Sequence, residues 1–293
     1  MTMSLILSAL LALPTSAQQA ERTGRSEATE SRDPCSARSG SAAATFEDEN
    51  LEAAVRSALS LEGGVELTCG LVATLDSLVA PELEIENLHG IQNLAGLEHL
   101  DLWGNAITDI GELIELTRLT RLELGNNSIS DVSALAALTN LTRLSIRENE
   151  IADISALGGL TQLIDLDISY NGISELAALR GMTRLTTLRV YNNPIADIDA
   201  MRDLTSLSEL HVHDLTDLET IRPLVENTGL GSGDLVYVYG SNACSDARAL
   251  RDKGVSVPGC EIEDVMRWWW AIFPGLALVA FALVLRRRRN QGQ

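Results

Sequence analysis

The sequence has few aromatic side chains and carries no motif of a catalytic site. Aromatic residues make up 4% of the chain although 45% of it is hydrophobic, so leucine, isoleucine, valine and alanine supply most of the apolar content. That mixture is typical of many small, similar core layers rather than of one large irregular core. The sequence has no glycine-rich phosphate loop, no GxSxG or HExxH motif and no plausible cysteine–histidine nucleophile. We therefore predict that the protein is not an enzyme and needs no cofactor.

Basic residues are scarce in the main body of the chain. The formal net charge is -19, and all 41 acidic residues lie at or before Asp264, whereas Arg267 and the four arginines at 286–289 follow it. So acidic a surface repels nucleic acid and anionic lipid headgroups, which excludes both as partners of the main body. The acidity either keeps a long exposed surface soluble, which we favour, or marks an acidic binding face.

The N-terminal residues have the pattern of an export signal without a positive charge before the apolar run. Residues 5–13 form a short, mainly apolar run, and Pro14 and three small residues at 15–17 follow it. This order predicts a signal peptide over residues 1–17. Residues 18–45 show no apolar periodicity, which predicts a flexible leader.

Near the C-terminus, residues 268–285 form a run of side chains without charge. A helix of that length crosses about 27 Å of hydrocarbon, so we predict a transmembrane helix over 267–285. The arginine cluster predicts a basic cytoplasmic tail over 286–293, with the main body outside. The arrangement also resembles the C-terminal sorting tails of some bacterial surface proteins, which a membrane protease removes, so retention and cleavage of the tail both stay open.

Asparagine recurs at an interval of 22 residues, and leucine and isoleucine keep the same interval. Each unit has the pattern LxxLxLxxNxIxxI, as in residues 97–110 and 141–154. The alternation around Leu100 and Leu102 predicts a short strand with both leucines inward, and stacked units predict a parallel sheet. An asparagine amide carries both a donor and an acceptor, so it can satisfy backbone groups of its own loop and of the neighbouring turn. The predicted structural ladder consists of Asn105, Asn127, Asn149, Asn171 and Asn193.

This pattern resembles the bacterial leucine-rich repeats of the internalin type, whose 22-residue units share the spacing xIxDIxxLxxLxxLxxL that residues 107–110 and 151–154 match. The resemblance extends over about residues 46–257 and implies an α/β solenoid: a right-handed leucine-rich-repeat arc with short parallel β-strands on its concave face. It implies a helical N-terminal cap over 46–77, repeats over 78–226 and a C-terminal cap over 227–262. For function it indicates only a binding scaffold.

The predicted N-terminal cap contains an amphipathic helix. Leu51, Val55 and Leu59 fall on one helical face, and Asn50 is the expected N-cap residue. Terminal units of this kind close the apolar ends that stacked repeats leave exposed.

Four cysteines in an exported chain indicate two disulfides, for which three connectivities exist. About seven turns at a strand spacing of about 4.8 Å put Cys69 more than about 30 Å from Cys244, beyond disulfide reach. We therefore pair Cys35 with Cys69 and Cys244 with Cys260. A metal site is the less favoured alternative, because it needs more ligands at short spacing.

Side chains that flank the inward leucines project to solvent and are the candidate binding face. Trp103, Tyr191 and the nearby Tyr170 offer rigid contact area, and arginines offer directed hydrogen-bond donors. The same face includes Arg121, Ser145, Asp165, Ser169, Thr187 and Glu209. The candidate partner-binding residues are His99, Asp101, Trp103, Glu123, Arg143, Arg147, Asp167, Tyr170, Arg189, Tyr191, His211 and His213.

Two of these residues have a second interpretation. His211 and His213 are two positions apart on one strand, so both rings project to the same side and could hold Zn²⁺ together with Asp167 or Glu209. We favour a polar surface pair and predict no metal.

The sequence as a whole predicts an exported protein, held at the membrane by its C-terminal helix, that binds another protein through the concave face. A glycan is the less favoured ligand. The alternative function is a structural spacer or envelope component without a specific partner. A third class, a hydrolase of the envelope, would need a reactive constellation that the face does not have.

Overall fold

The computed structural model describes residues 34–61, 63–215, 217–238 and 246–258, which stack as similar turns around one continuous apolar core. In these ranges eight strands of three residues form a single parallel sheet in chain order. The strands are β1 (Ser77–Val79), β2 (His99–Asp101), β3 (Arg121–Glu123), β4 (Arg143–Ser145), β5 (Asp165–Asp167), β6 (Thr187–Arg189), β7 (Glu209–His211) and β8 (Leu235–Tyr237).

Strand pairing follows the 22-residue interval without offset from β1 to β7. Leu100 pairs with Leu122, Leu122 with Leu144, and so on along the sheet. These inward leucines are at most 2% exposed, and burial of each side chain stabilises the fold by about 2 kcal/mol. The last step, from Leu210 to Val236, spans a longer turn but keeps the pairing parallel. The predicted parallel strands are confirmed.

Helical segments form the return side of each turn. The α-helices are α1 (Glu49–Ala58), α2 (Cys69–Val72), α3 (Arg222–Glu226) and α4 (Ala247–Asp252). Seven short 3₁₀ segments also occur in the described residues. Four of them follow an aspartate whose carboxylate accepts the N–H group two positions later, as Asp109 does from Gly111 at 2.8 Å. The 3₁₀ segments are Cys35–Ala37, Ile91–Leu94, Gly111–Glu115, Ser133–Ala137, Ser155–Gly159, Ala177–Gly181 and Asp199–Asp203.

The recurring asparagines join consecutive turns through their amide groups. The Asn149 carbonyl oxygen accepts the Ile129 N–H at 3.0 Å, and its amide nitrogen donates to the Leu124 oxygen at 3.0 Å and the Ile146 oxygen at 3.1 Å. Equivalent bonds occur in every turn of the ladder. Each amide therefore satisfies backbone groups of its own turn and of the preceding one, which the strands leave without partners. The residues with this pattern are Asn105, Asn127, Asn149, Asn171 and Asn193.

At the N-terminal end, a disulfide ties the chain to the solenoid. Cys35 and Cys69 are bonded, with S–S 2.05 Å, which confirms this predicted pair. The flexible leader predicted over residues 18–45 extends too far toward the C-terminus, because Ala43 forms an antiparallel bridge with Thr68. Apolar periodicity could not predict that this segment is ordered, because it has few apolar residues. Backbone hydrogen bonds and the disulfide hold it in place instead of a regular apolar face.

The N-cap of α1 differs from the expected residue. Asp48, not Asn50, caps the helix, because its Oδ1 accepts the N–H groups of Asn50 and Leu51 at 2.9 and 3.0 Å. Its Oδ2 accepts two more, from Glu86 and Asn87. Burial alone would raise the pKa of Asp48, but these four N–H donors lower it below its usual value. One carboxylate thus joins α1 to the first turn of the solenoid.

Several sequence predictions lie outside the described residues. They are the signal peptide over 1–17, the helix over 267–285, the tail over 286–293 and the Cys244–Cys260 pair. Among the helices that the structure describes, none combines the length and apolar content of a membrane span.

Candidate partner-binding face

The register of the strands sorts the solvent-facing side chains into three rows, which together we call the sheet face. The first row precedes the inward leucine and contains His99, Arg121, Arg143, Asp165, Thr187 and Glu209. The second row follows that leucine and contains Val79, Asp101, Glu123, Ser145, Asp167, Arg189, His211 and Tyr237. The third row lies two residues further on and contains Trp103, Gly125, Arg147, Ser169, Tyr191 and His213.

Trp103 occupies space that a glycine leaves open. A Cβ atom at Gly125 would lie 2.9 Å from Trp103 Cδ1 and 3.0 Å from Arg147 Cγ. The indole and the aliphatic part of Arg147 therefore both pack over the backbone at Gly125. Because packing fixes the ring before any partner arrives, Trp103 is the kind of rigid aromatic anchor that dominates binding energies.

Two shallow depressions adjoin Trp103 on the sheet face. One, of about 440 Å³, extends toward β1 and is bounded by Val79, His99 and Arg121; the other, of about 290 Å³, extends toward β5. Trp103 and Glu123 line both. The centre of the face is thus an aromatic ring beside a carboxylate.

The ionised form of Glu123 is disfavoured by its surroundings on this face. Its side chain is half-buried, and burial raises its pKa above the usual value of 4.5. The charges of Asp101, Asp165 and Asp167 raise it further, and a hydrogen bond with Ser145 partly offsets them. The ionised carboxylate therefore gains from any cation that approaches it.

The arginines of the face differ in whether ion pairs with neighbouring carboxylates fix their side chains. Arg189 bonds to Asp165 at 2.9 Å and to Glu209 at 3.5 Å, so its position is fixed. Arg147 pairs with the neighbouring Glu148. Arg121 and Arg143 are exposed and have no ion-pair partner among the described residues. Of the predicted donors, Arg143 is thus the one that remains available at the rim.

Aromatic and imidazole rings form a continuous patch at the C-terminal half of the face. Tyr191 contacts Tyr170 edge-on, with ring centroids 5.3 Å apart, and stacks on His213 at 4.3 Å. His211 stacks on Tyr237, also at 4.3 Å. The patch comprises Tyr170, Tyr191, His211, His213 and Tyr237.

The histidine pair is engaged by its neighbours. His211 Nε2 lies 2.8 Å from a Glu209 oxygen, and this contact lowers the pKa of Glu209 below its usual value. Burial lowers the pKa of His213, and the charge of His211 adds to that effect. No cluster of three or more candidate metal ligands occurs within the described ranges.

Two residues expected at the solvent surface are buried. Ser169 is 0% exposed, because its hydroxyl and N–H both bond to Asp167, and His213 is 7% exposed beneath Tyr191. The chain turns away from the sheet after the second row, so neighbours cover some third-row side chains, while Trp103, Arg147 and Tyr191 stay partly exposed. The remaining candidates lie on the sheet face, with Tyr170 beside it.

Sequence reasoning missed three features of this face. Gly125 was passed over although it is the only glycine at its position in the repeats, and Tyr237 was placed in a last strand without being counted in the face. The third is a left-handed backbone before each ladder asparagine, at φ +53° for Glu148 and Tyr170. Its signal was available, since Gly104, Asn126 and Asn192 recur at the same interval. The residues before the ladder asparagines are Gly104, Asn126, Glu148, Tyr170 and Asn192, and Asp214 has the same conformation one interval later.

Comparison with known proteins agrees with this geometry. The family model described as leucine-rich repeats (2 copies) matches residues 95–137 and 139–181. The fold is a leucine-rich-repeat solenoid. A comparison with curated proteins found no match.

Solved leucine-rich-repeat structures are similar over most of the chain. An internalin (inlF) of Listeria monocytogenes is 34% identical, covers 67% of this chain and 57% of its own, and has a TM-score of 0.63. Internalin C2 of Listeria monocytogenes is 29% identical over 72% of this chain and 94% of its own, with a TM-score of 0.66. A leucine-rich-repeat protein of Leptospira interrogans, 20% identical over 64% of this chain and 55% of its own, shares the fold at a TM-score of 0.50. This chain thus corresponds to 57% of the length of the first internalin.

Proposed function

We propose that this protein is a non-enzymatic binding module that captures another protein through the sheet face. The observation that carries the proposal is the Trp103 ring, which packs over Gly125 and stands between two depressions. A fixed aromatic anchor with charged groups around it is the arrangement in which a few residues supply most of a binding energy. The leucine-rich-repeat fold supports the proposal, since it is a scaffold for protein–protein interaction.

The C-terminal patch supports the same function. Tyr170 is 46% exposed and, with Tyr191 and Tyr237, offers rigid amphipathic area at a small cost in side-chain entropy. Trp103 and this patch lie on one face of one rigid stack, so a partner can contact both without rearrangement of the solenoid.

Capture experiments with matched variants test the binding function. The immobilised chain is incubated with envelope fractions and culture medium of the source organism, beside the variants Trp103→Ala and Arg147→Glu. The controls Ile114→Ala and Arg180→Glu introduce the same residues, alanine and glutamate, at exposed positions outside the sheet face. We expect a protein that the wild type and both controls retain and that both face variants lose. Retention by none of the chains, or by all of them equally, would contradict the proposal and favour a passive spacer.

We further propose that the solenoid is displayed outside the cytoplasmic membrane and tethered by residues 267–285. The apolar run and the arginine cluster after it support this topology. Removal of residues 267–293 should release the protein from the membrane fraction into the medium or periplasm. A truncated chain that stays in the membrane fraction would show that the tether lies elsewhere.

A further inference from the structure

The larger depression of the sheet face has apolar walls and an acidic floor. Val79 in β1 is 66% exposed although it is apolar, and Trp103 also lines the depression. Asp101 lies next to Val79 in the second row, and Glu123 lies next to Asp101, on adjacent strands about 4.8 Å apart. A ligand that fits this shape has an apolar stem and a polar end.

The charge of the floor selects a cation. The floor carries Asp101 and Glu123, the second row holds no basic residue from β1 to β5, and its next carboxylate, Asp167, lines the smaller depression. None of the three carboxylates is in an ion pair within the described part of the chain, and the first basic residue of that row, Arg189, is bonded to Asp165 and Glu209. Charge complementarity therefore calls for a cation supplied from outside.

Burial decides between a basic and an acidic ligand. An acidic ligand in this depression would meet Arg121 and His99, but both are exposed, and solvent screens an ion pair at an exposed position. Glu123 is half-buried and its pKa is raised, first by burial and then by its acidic neighbours, so a cation there relieves a cost already present in the free protein. The stronger complementarity is that of the floor.

We propose that this depression receives a lysine or arginine side chain of the protein partner. The cationic end pairs with Glu123 and Asp101, while the aliphatic stem packs against Val79 and the indole of Trp103. Long basic side chains bury their methylene groups along apolar surface in this way, and a cation close to an indole gains further attraction from the ring. The inference rests on the proposed binding function and adds the chemistry of the residue that the partner inserts.

Gly125 provides a variant that moves the wall without removing a contact atom. A methyl group at this position meets both Trp103 and Arg147 at about 3 Å, so Gly125→Ala displaces the indole from its place beside Glu123. Gly125 is not among the residues with positive φ, so alanine brings no backbone strain.

Selection from a displayed library of random peptides tests the proposal without a known partner. Peptides selected on the full chain are measured against the variants Glu123→Gln and Gly125→Ala. Glu115→Gln is the matched control, because Glu115 is exposed outside the sheet face and the substitution changes the net charge equally. Selected peptides are then resynthesised with norleucine in place of lysine or citrulline in place of arginine.

We expect the selected peptides to share one lysine or arginine position. Neutral replacement of that residue, Glu123→Gln and Gly125→Ala should each weaken binding roughly tenfold or more, and Glu115→Gln should leave it unchanged. Three outcomes would overturn the proposal: selected peptides that share no basic position, selected peptides that share an acidic position, or equal affinity of the peptides for the wild type and Glu123→Gln. Should a captured partner depend on Trp103 but not on Glu123, this inference fails while the binding function stands.

Discussion

His213 stacks on Tyr191 with ring centroids 4.3 Å apart and ring planes inclined by 16°. The tyrosine covers the imidazole, and burial lowers the pKa of His213 more than Asp214 raises it. Tyr191→Ala should therefore raise the pKa of His213 toward its usual value of 6.5. An NMR titration of the imidazole measures the change. Tyr170→Ala, which leaves the stacked ring in place, is the control, and an unchanged His213 pKa in Tyr191→Ala would show that the tyrosine does not cause the shift.

The asparagine ladder should contribute more to stability than any surface amide. Asn149→Ala removes bonds to the backbone of Ile129, Leu124 and Ile146, and we expect it to lower the free energy of unfolding by about 3 kcal/mol. Urea denaturation measures the loss. The exposed Asn140, which donates one bond to the Thr117 oxygen, is the matched control, and Asn140→Ala should cost well under about 1 kcal/mol. Similar losses for both variants would be incompatible with this role of the ladder.

The left-handed position before Asn149 holds a residue with poor preference for that conformation. Glu148 has φ +53°, a region that asparagine and glycine adopt more readily. Glu148→Asn should raise the free energy of unfolding by up to about 1 kcal/mol, less whatever its surface pair with Arg147 contributes. Thermal unfolding beside Glu150→Asn, an exposed position without positive φ, tests this. Equal midpoints for the two variants would show that the strain at Glu148 is negligible.

Replacement of Glu123 should stabilise the protein in a pH-dependent way. Because its pKa is raised above 4.5 in the folded protein, the folded state binds this proton more tightly than the unfolded chain does, and the wild type loses that advantage as pH rises through the raised pKa. Glu123→Gln should therefore unfold at a higher temperature than the wild type at about pH 7 and at a similar one at about pH 3. If the difference in unfolding temperature between Glu123→Gln and the wild type were the same at both pH values, it would contradict a raised pKa of Glu123 in the folded protein. The same substitution is expected to weaken partner binding, as stabilising changes at functional sites often do.

Much of the fold could be predicted because the 22-residue interval fixes both burial and backbone. Leu100 and Leu122 had to face the core at equivalent points of successive turns, and the distance between Cys69 and Cys244 left Cys35 as the partner of Cys69. The predicted N-cap residue of α1, Asn50, was wrong because Asp48 and Asn50 are both good cap residues. Only the position of the Glu86–Asn87 backbone favours the aspartate.

The candidate face could be predicted as a set of positions but not as a set of contacts. Periodicity places Trp103 and Tyr191 at equivalent points of different turns, yet it does not tell that one rests on a glycine and the other on a histidine ring. Those contacts depend on side chains in neighbouring turns, each 22 residues away. For the same reason Ser169 was expected at the surface, whereas its bonds to Asp167 hold it inside.

The zero-offset register sets how a partner can lie on the face. Equivalent side chains stand about 4.8 Å apart from turn to turn. A helix laid across the strands advances about 5.4 Å per turn and drifts by only about 0.6 Å per repeat. An extended segment, which presents one side every about 6.7 Å, drifts by about 1.9 Å per repeat and falls out of step after two. Because the strand spacing nearly matches the pitch of a helix, a helical segment can contact several consecutive repeats. An extended segment does not match it and is limited to a single short contact.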